Sequence, residues 1–189
     1  LSPITLMLDG HVDEVGLQVR YIDEKGYVYV NQLGGIDPHL TPGNRVQIYA
    51  KNSQFLGVIG KKAIHLQDSE DQSSVIKLSK QFIDIGARSR EEVEGLGIRI
   101  GDPIIFDQYY SPLGTHGDVV SRCFDDKVGA FVVSEILKRL KAEKPKVKIV
   151  GSFSVQEEVG LRGAQVLSKR INPDFAISFD VGSLMQEKE

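Results

Sequence analysis

Hydrophobic positions along this chain change period twice. Residues 4–8, I-T-L-M-L, form a short apolar run of the kind that makes a strand. From residue 16 to about residue 120, runs rich in Val, Ile, Tyr and Phe recur at 27–30, 45–49, 55–59, 82–85 and 104–106. Turn signals separate them: D-E-K-G at 23–26, G-G at 34–35, P-G at 42–43 and G-D-P at 101–103. This spacing predicts a compact all-β module, a small barrel or sandwich. One short helix is expected over 90–96, with Ser89 as its N-cap and Glu92 completing a capping box. The polar, Ser-containing residues 67–79 predict an exposed loop.

Beyond residue 125 the period lengthens. Val128, Phe131, Val132, Ile136 and Leu140 return at helical spacing within 127–141, giving one apolar stripe. E-K-P at 143–145 ends it. The β-branched run 147–155 has the composition of a buried parallel strand, and 163–169 predict a second helix. Pro173 breaks the chain before F-A-I-S-F-D at 175–180, another expected buried strand. Strand, β-module, helix, strand, helix and strand together predict an α/β sheet interrupted by a second domain. The α/β domain is expected in 1–15 and 119–189, around an inserted module in 16–118.

Composition narrows the function without naming it. The chain has 189 residues and a net charge of -3, which gives no sign of a nucleic-acid or anionic-membrane partner. No apolar run approaches the length that spans a bilayer. Cys123 is the single cysteine, so no intrachain disulfide forms and a reducing compartment fits. Leu1 is not an initiator Met, a strand is already running at 4–8, and 183–189 follow a strand with no closing element. The chain therefore reads as the middle of a longer protein.

Acids and one imidazole collect where the α/β strands end. The stretch 147–160 runs from an apolar strand into Glu157 and Glu158; His11 and Asp13 follow the first strand, and Asp180 follows the last. Asp125 and Asp126 stand at the start of a helix. Singly, each has an ordinary structural explanation: Asp125 as an N-cap, Asp180 as a turn residue, the glutamates as solvated acids, His11 as a hydrogen-bonded core histidine. Ligands bind at the carboxyl ends of strands in open α/β sheets. If these strands are parallel neighbours, the acids share one rim and repel each other without a cation. Mixed His and carboxylate ligands suit zinc or a related first-row ion better than calcium.

These residues also carry a resemblance. D-G-H-V-D-E-V-G at 9–16, C-F-D-D-K-V-G at 123–129, V-Q-E-E-V-G-L-R-G at 155–163 and F-D-V at 179–181 resemble the tetrahedral, TET-type aminopeptidases. That family comprises glutamyl and deblocking aminopeptidases and enzymes once labelled endoglucanases. The likeness includes the inserted module, at I-D-I-G-A-R-S-R-E-E (83–92) and G-I-R-I-G-D-P (97–103). It implies a zinc-exopeptidase-like mixed sheet with an inserted barrel-like dimerisation domain, built toward a twelve-subunit shell. It implies two divalent ions, zinc or alternatively cobalt, with His11 and Asp180 on one, Glu158 on the other and Asp125 bridging. Glu157 would be the general base and Asp13 would orient the His11 ring. A cis peptide would follow Asp125. The implied activity is cytoplasmic removal of N-terminal residues from peptides with a free amine.

The chain departs from that family in one ligand. The family's second zinc takes a further His from the C-terminal part, and no His follows Asp180 here. His39, His65 and His116 fall in the expected module and read as structural or interface residues. The helical segment expected before Leu1 is absent as well. On this reading the second metal site is one protein ligand short and the 189 residues alone are inactive. Two rivals remain: a metal-dependent deacylase or amidohydrolase of small substrates, and an inactive assembly domain. A glycosidase fits less well, since paired acids working without metal leave His11 unexplained.

Overall fold

The computed structural model describes residues 3–67, 74–143 and 145–182. In chain order it contains β1 (Thr5–His11), β2 (Gly16–Ile22), β3 (Val28–Leu33), β4 (Arg45–Tyr49), β5 (Gln54–Gly60) and β6 (Phe82–Asp84). Then come α1 (Arg90–Gly95), β7 (Pro103–Phe106), β8 (Ser111–Leu113), β9 (Asp118–Val120), α2 (Phe124–Leu140), β10 (Lys148–Ser154), α3 (Arg162–Ile171) and β11 (Phe175–Ser178). They form two compact units, Leu1–Glu14 with Pro112–Glu189, and Val15–Ser111.

The second unit is a closed antiparallel barrel in the order β2-β3-β6-β5-β4-β7, completed by the pairing of β7 with β2. Strand alternation puts Val46 and Ile48 inside and Arg45 and Gln47 outward, as a two-residue side-chain period requires. β2 was not predicted as a strand. Its register shifts between Val19 and Tyr21, so Leu17 and Val19 face inward before the shift and Ile22 after it. Such a bulge breaks the two-residue period on which a sequence reading depends. Gly26 closes the β2–β3 turn at φ +85°, where an added Cβ would lie 3.1 Å from the Ala87 backbone. Asp23 Oδ1 accepts the Lys25 and Tyr27 N–H groups there.

α1 forms where expected, and Val93 on it is fully buried. Ser89 Oγ accepts the Glu92 N–H at 3.2 Å. The return bond differs: Glu92 Oε2 accepts from the Arg88 N–H at 2.8 Å, one residue upstream of the predicted partner. The loop expected at 67–79 needs a correction. Residues 68–73 lie outside the described residues, but Ile76 and Leu78 are buried. Leu78 belongs to the barrel core. Val75, Ile76 and Leu78 are too few aliphatics in a polar run to set a period, yet burying Ile76 and Leu78 is worth about 1.5–3 kcal/mol each.

The α/β unit is built on a three-stranded parallel sheet in the order β10-β1-β11. The centre is therefore β1, and 147–155 supplies a flanking strand. α2 packs on β1 closely enough that a Cβ on Gly10 would lie 2.6 Å from the Ala130 nitrogen. The two flanking runs were expected to be buried. Instead β10 buries only Ser152 and Ser154, and all four residues of β11 are exposed. Both strands are outermost among the described residues, so an apolar composition does not guarantee cover.

A candidate metal centre at the carboxyl ends of the parallel strands

The register of β1 with β10 pairs His11 with Ser154, and that with β11 pairs Asp9 with Ser178. The segments leaving these strands therefore emerge side by side. His11, the last residue of β1, is buried. Its Nε2 lies 3.0 Å from Asp125 Oδ1 and 3.8 Å from Glu157 Oε2. Its Nδ1 lies 3.1 Å from the Asp13 carbonyl oxygen and 3.5 Å from Asp13 Oδ1.

The start of α2 explains how two adjacent aspartates differ. Residues 125 and 126 have non-helical backbone angles, and the peptide between them is cis. Asp126 is fully buried; its Oδ1 accepts the Gly129 N–H at 3.0 Å and its Oδ2 the His11 N–H at 3.1 Å. Binding the N–H three residues on is the capping function that the sequence offered to Asp125. With Asp126 in that place, the half-exposed Asp125 carboxylate is free to meet the imidazole.

Asp13 also does more than face the ring. Its two carboxylate oxygens accept the backbone N–H groups of Glu157 and Glu158, at 3.2 and 3.3 Å. It thereby anchors the loop that carries both glutamates. Two clusters of ligand atoms result, each with all members within 4.8 Å: His11 with Asp125 and Glu158, and His11 with Asp126 and Asp180. His11 is common to both. Asp126 stands beside Asp180, a position the sequence reading did not give it. The signal for Asp126 was the D-D pair itself, which cannot say which member turns inward.

Electrostatics matches this crowding. Burial works against a charged His11, but Glu157, Asp126, Asp13 and Asp125 together lift its pKa above the ordinary value. Burial and then the Asp125 charge push Glu158 up. Burial raises Asp126 as well, although the Gly129 and His11 N–H groups oppose the shift. The shifts of all three groups favour bound protons, and a divalent cation drawn to the same charges would compete with them.

A further group was missed by the sequence reading. Glu14 takes a hydrogen bond from Cys123 Sγ at 2.6 Å and pairs with Arg122. It links the segment after His11 to the segment before Asp125. Opposite-sign residues more than 100 positions apart leave no local trace.

The family model for M42 glutamyl aminopeptidases matches residues 2–189. The chain belongs to that family. It is 34% identical to the lysyl aminopeptidase of Pyrococcus furiosus over 93% of this chain and 50% of that protein. The TET aminopeptidase of a marine-sediment Thaumarchaeota archaeon superimposes with a TM-score of 0.92, at 34% identity, over 99% of this chain and 53% of that one. The TET1 peptidase of Pyrococcus horikoshii, which can assemble into a tetrahedron or a large octahedral shell, gives 0.84 at 33% identity, over 100% of this chain and 57% of that one. This M42 chain thus spans about half the length of the relatives it matches. An α/β fold with a closed barrel is common ground with the TET structures, and the three proteins above are named aminopeptidases or a peptidase.

Proposed function

We propose that this chain carries the metal-binding and proton-transfer residues of an aminopeptidase that hydrolyses the N-terminal peptide bond. The observation that carries the reading is the His11 ring shared by two carboxylate clusters at the strand ends. One imidazole with several carboxylates is a donor set that suits zinc, with cobalt as the alternative. His11 and Asp180 would hold one ion and Glu158 the other, with Asp125 between them. The place of Asp126 beside Asp180 does not make it a ligand, because both its oxygens already accept backbone N–H groups.

Bound there, divalent ions would polarise the scissile carbonyl and acidify the attacking water. Glu157 lies next to the centre but in neither cluster, which fits a general base rather than a ligand. It takes the proton from water and delivers it to the leaving amine. Asp13 holds this base in place through the Glu157 N–H and, through the adjacent Glu158 N–H, keeps the ligand and the base in fixed relation. A free α-amine on the substrate, accepted among these carboxylates, would confine cleavage to the first residue.

Self-association through the barrel unit into a dodecamer is part of the same proposal, supported by the shells that the TET1 relative forms. The cytoplasm is the proposed location, since the only cysteine, Cys123, is free. No helix among the described residues is long and apolar enough to cross a membrane.

The test, made on the intact protein, is zinc binding by calorimetry together with release of N-terminal residues from peptides. Glu157→Gln should keep its metal and lose about 10²–10⁴-fold in turnover. Loss of metal in that variant would make Glu157 a ligand. Turnover of N-acyl substrates in place of free-amine peptides would move the assignment to a deacylase.

A further inference from the structure

The ligands of the candidate metal centre come from separate segments of backbone, and something must fix the spacing between them. His11 ends β1, Asp125 stands at the start of α2, and Glu158 lies in the loop after β10. His11 is buried, so packing restrains it. Asp125 differs. Its side chain is 55% exposed, and its one hydrogen bond among the described residues is to the His11 ring. The place of its carboxylate therefore depends on the backbone that delivers it.

That backbone arrives through Arg122 and Cys123. Cys123 has φ +66°, a left-handed conformation that a residue with a Cβ keeps only where its surroundings impose it. Glu14 supplies those surroundings. Its Oε2 accepts from Cys123 Sγ at 2.6 Å, and its Oε1 accepts from Arg122, which also donates to that sulfur at 3.1 Å. The three side chains close a ring. Glu14 and Arg122 are only 22% and 28% exposed, so water screens this pair less than it screens a surface pair. Glu14 directly follows Asp13, which fastens the loop of Glu157 and Glu158. Residues 11–14 are thus tied to both of the other ligand-bearing segments. We infer that Glu14 is a positioning residue for the proposed reaction: through Arg122 and Cys123 it sets the place of the Asp125 carboxylate relative to His11. It belongs to neither ligand cluster, so it acts without touching ion or substrate. The inference rests on the aminopeptidase reading. Misplacing a group at a reacting centre by about 1 Å can cost about 100-fold in rate.

The experiment uses the intact protein loaded with Co²⁺, whose visible absorption bands report ligand geometry, alongside zinc calorimetry and peptide turnover. Glu14→Ala should lower kcat by about 10–100-fold, the usual loss when a group that orients a metal ligand is removed, with KM nearly unchanged. It should also shift the cobalt bands and weaken zinc binding. Because Glu14→Ala strands the Arg122 charge, Arg122→Met, which removes that charge, is measured beside it and should show the same losses. Arg122→Lys keeps a donor for Glu14 and should recover most of them. The double variant Glu14→Ala with Arg122→Met should lose no more than the worse single one, since the two residues act as a unit. A merely structural role has another signature: a lower urea midpoint, with the cobalt bands and the kcat of metal-loaded protein intact. That result in both single variants would overturn the inference, and so would additive losses in the double variant. A wild-type protein with neither cobalt bands nor release of N-terminal residues would overturn the aminopeptidase reading itself, and this inference with it.

Discussion

The barrel is closed around Leu17, Val28, Ile48 and Ile83, none more than 1% exposed. The strands leading to the candidate metal centre bury Met7 and Leu8 too, but with them the polar Asp9, His11, Ser152 and Ser154. In the barrel, stability follows from apolar area removed from water, and the polar exceptions are bonded, as Gln81 is to Thr41 at 2.6 Å. In the α/β unit the buried polar groups are kept in place by directed bonds. Asp9 accepts the hydroxyls of Ser152 and Ser154 at 2.5 and 2.9 Å, and Asp126 accepts two backbone N–H groups. One unit is sensitive to lost volume and the other to lost bonds and uncompensated charge. The same chain thus shows a fold maintained by packing beside a site maintained by electrostatics.

That contrast can be broken most directly at Asp126. Asp126→Ala would leave the His11 and Gly129 N–H groups buried without an acceptor, at about 1–3 kcal/mol each. Amide exchange should accelerate throughout the α/β unit while barrel amides keep their protection; equal acceleration in both would erase the distinction. Ile48→Ala tests the other side and should cost about 2–5 kcal/mol as a cavity opens. Urea unfolding followed at barrel amides measures it, and zinc affinity should stay as it was.

Zinc sharpens the comparison further. At about one hundred times its dissociation constant, a ligand that binds only the folded state adds about 2.7 kcal/mol. That gain should appear in α/β amides alone, and chelation should remove it. The smallest expected effect is at Glu14. Burial raises its pKa, but the hydrogen bonds from Arg122 and Cys123 outweigh burial and hold it below the ordinary 4.5. A carboxylate lowered in the folded state contributes stability that is full above pH 4.5 and lost as pH falls through the folded value. Glu14→Gln should therefore flatten the acid limb of the stability curve, and urea midpoints taken across that range would show it. An unchanged acid limb would mean that the Glu14 cluster does not contribute.

Much of the fold was legible because period survives in short windows. The runs at 45–49, 55–59 and 104–106 sit within β4, β5 and β7, and Ser89 with Glu92 announced α1. β2 escaped because its bulge breaks the alternation, and β8 and β9 because each is only three residues long, too short to show a period. At the site, His11, Asp125, Glu158 and Asp180 were visible as acids or imidazole at the ends of strands or the start of a helix; His11 enters both clusters and the other three one each. What could not be read was the division of labour between neighbours. Asp126 caps α2 where Asp125 was considered, and Asp13 anchors Glu157 and Glu158 besides facing His11.

Sequence alone determined the division into an α/β part and an inserted β module, most of the module's strands, and the types of side chain delivered to the rim. These follow from backbone periodicity and from residue chemistry, which act over a few positions. Tertiary structure decided that β1 rather than β10 is the central strand, that Asp126 turns inward while Asp125 meets the imidazole, and that the apolar residues of β11 remain exposed. Those outcomes depend on pairings such as His11 with residues 114 and 115 positions away. Contacts of that span are selected by packing and charge compensation in the assembled chain, and no local pattern encodes them.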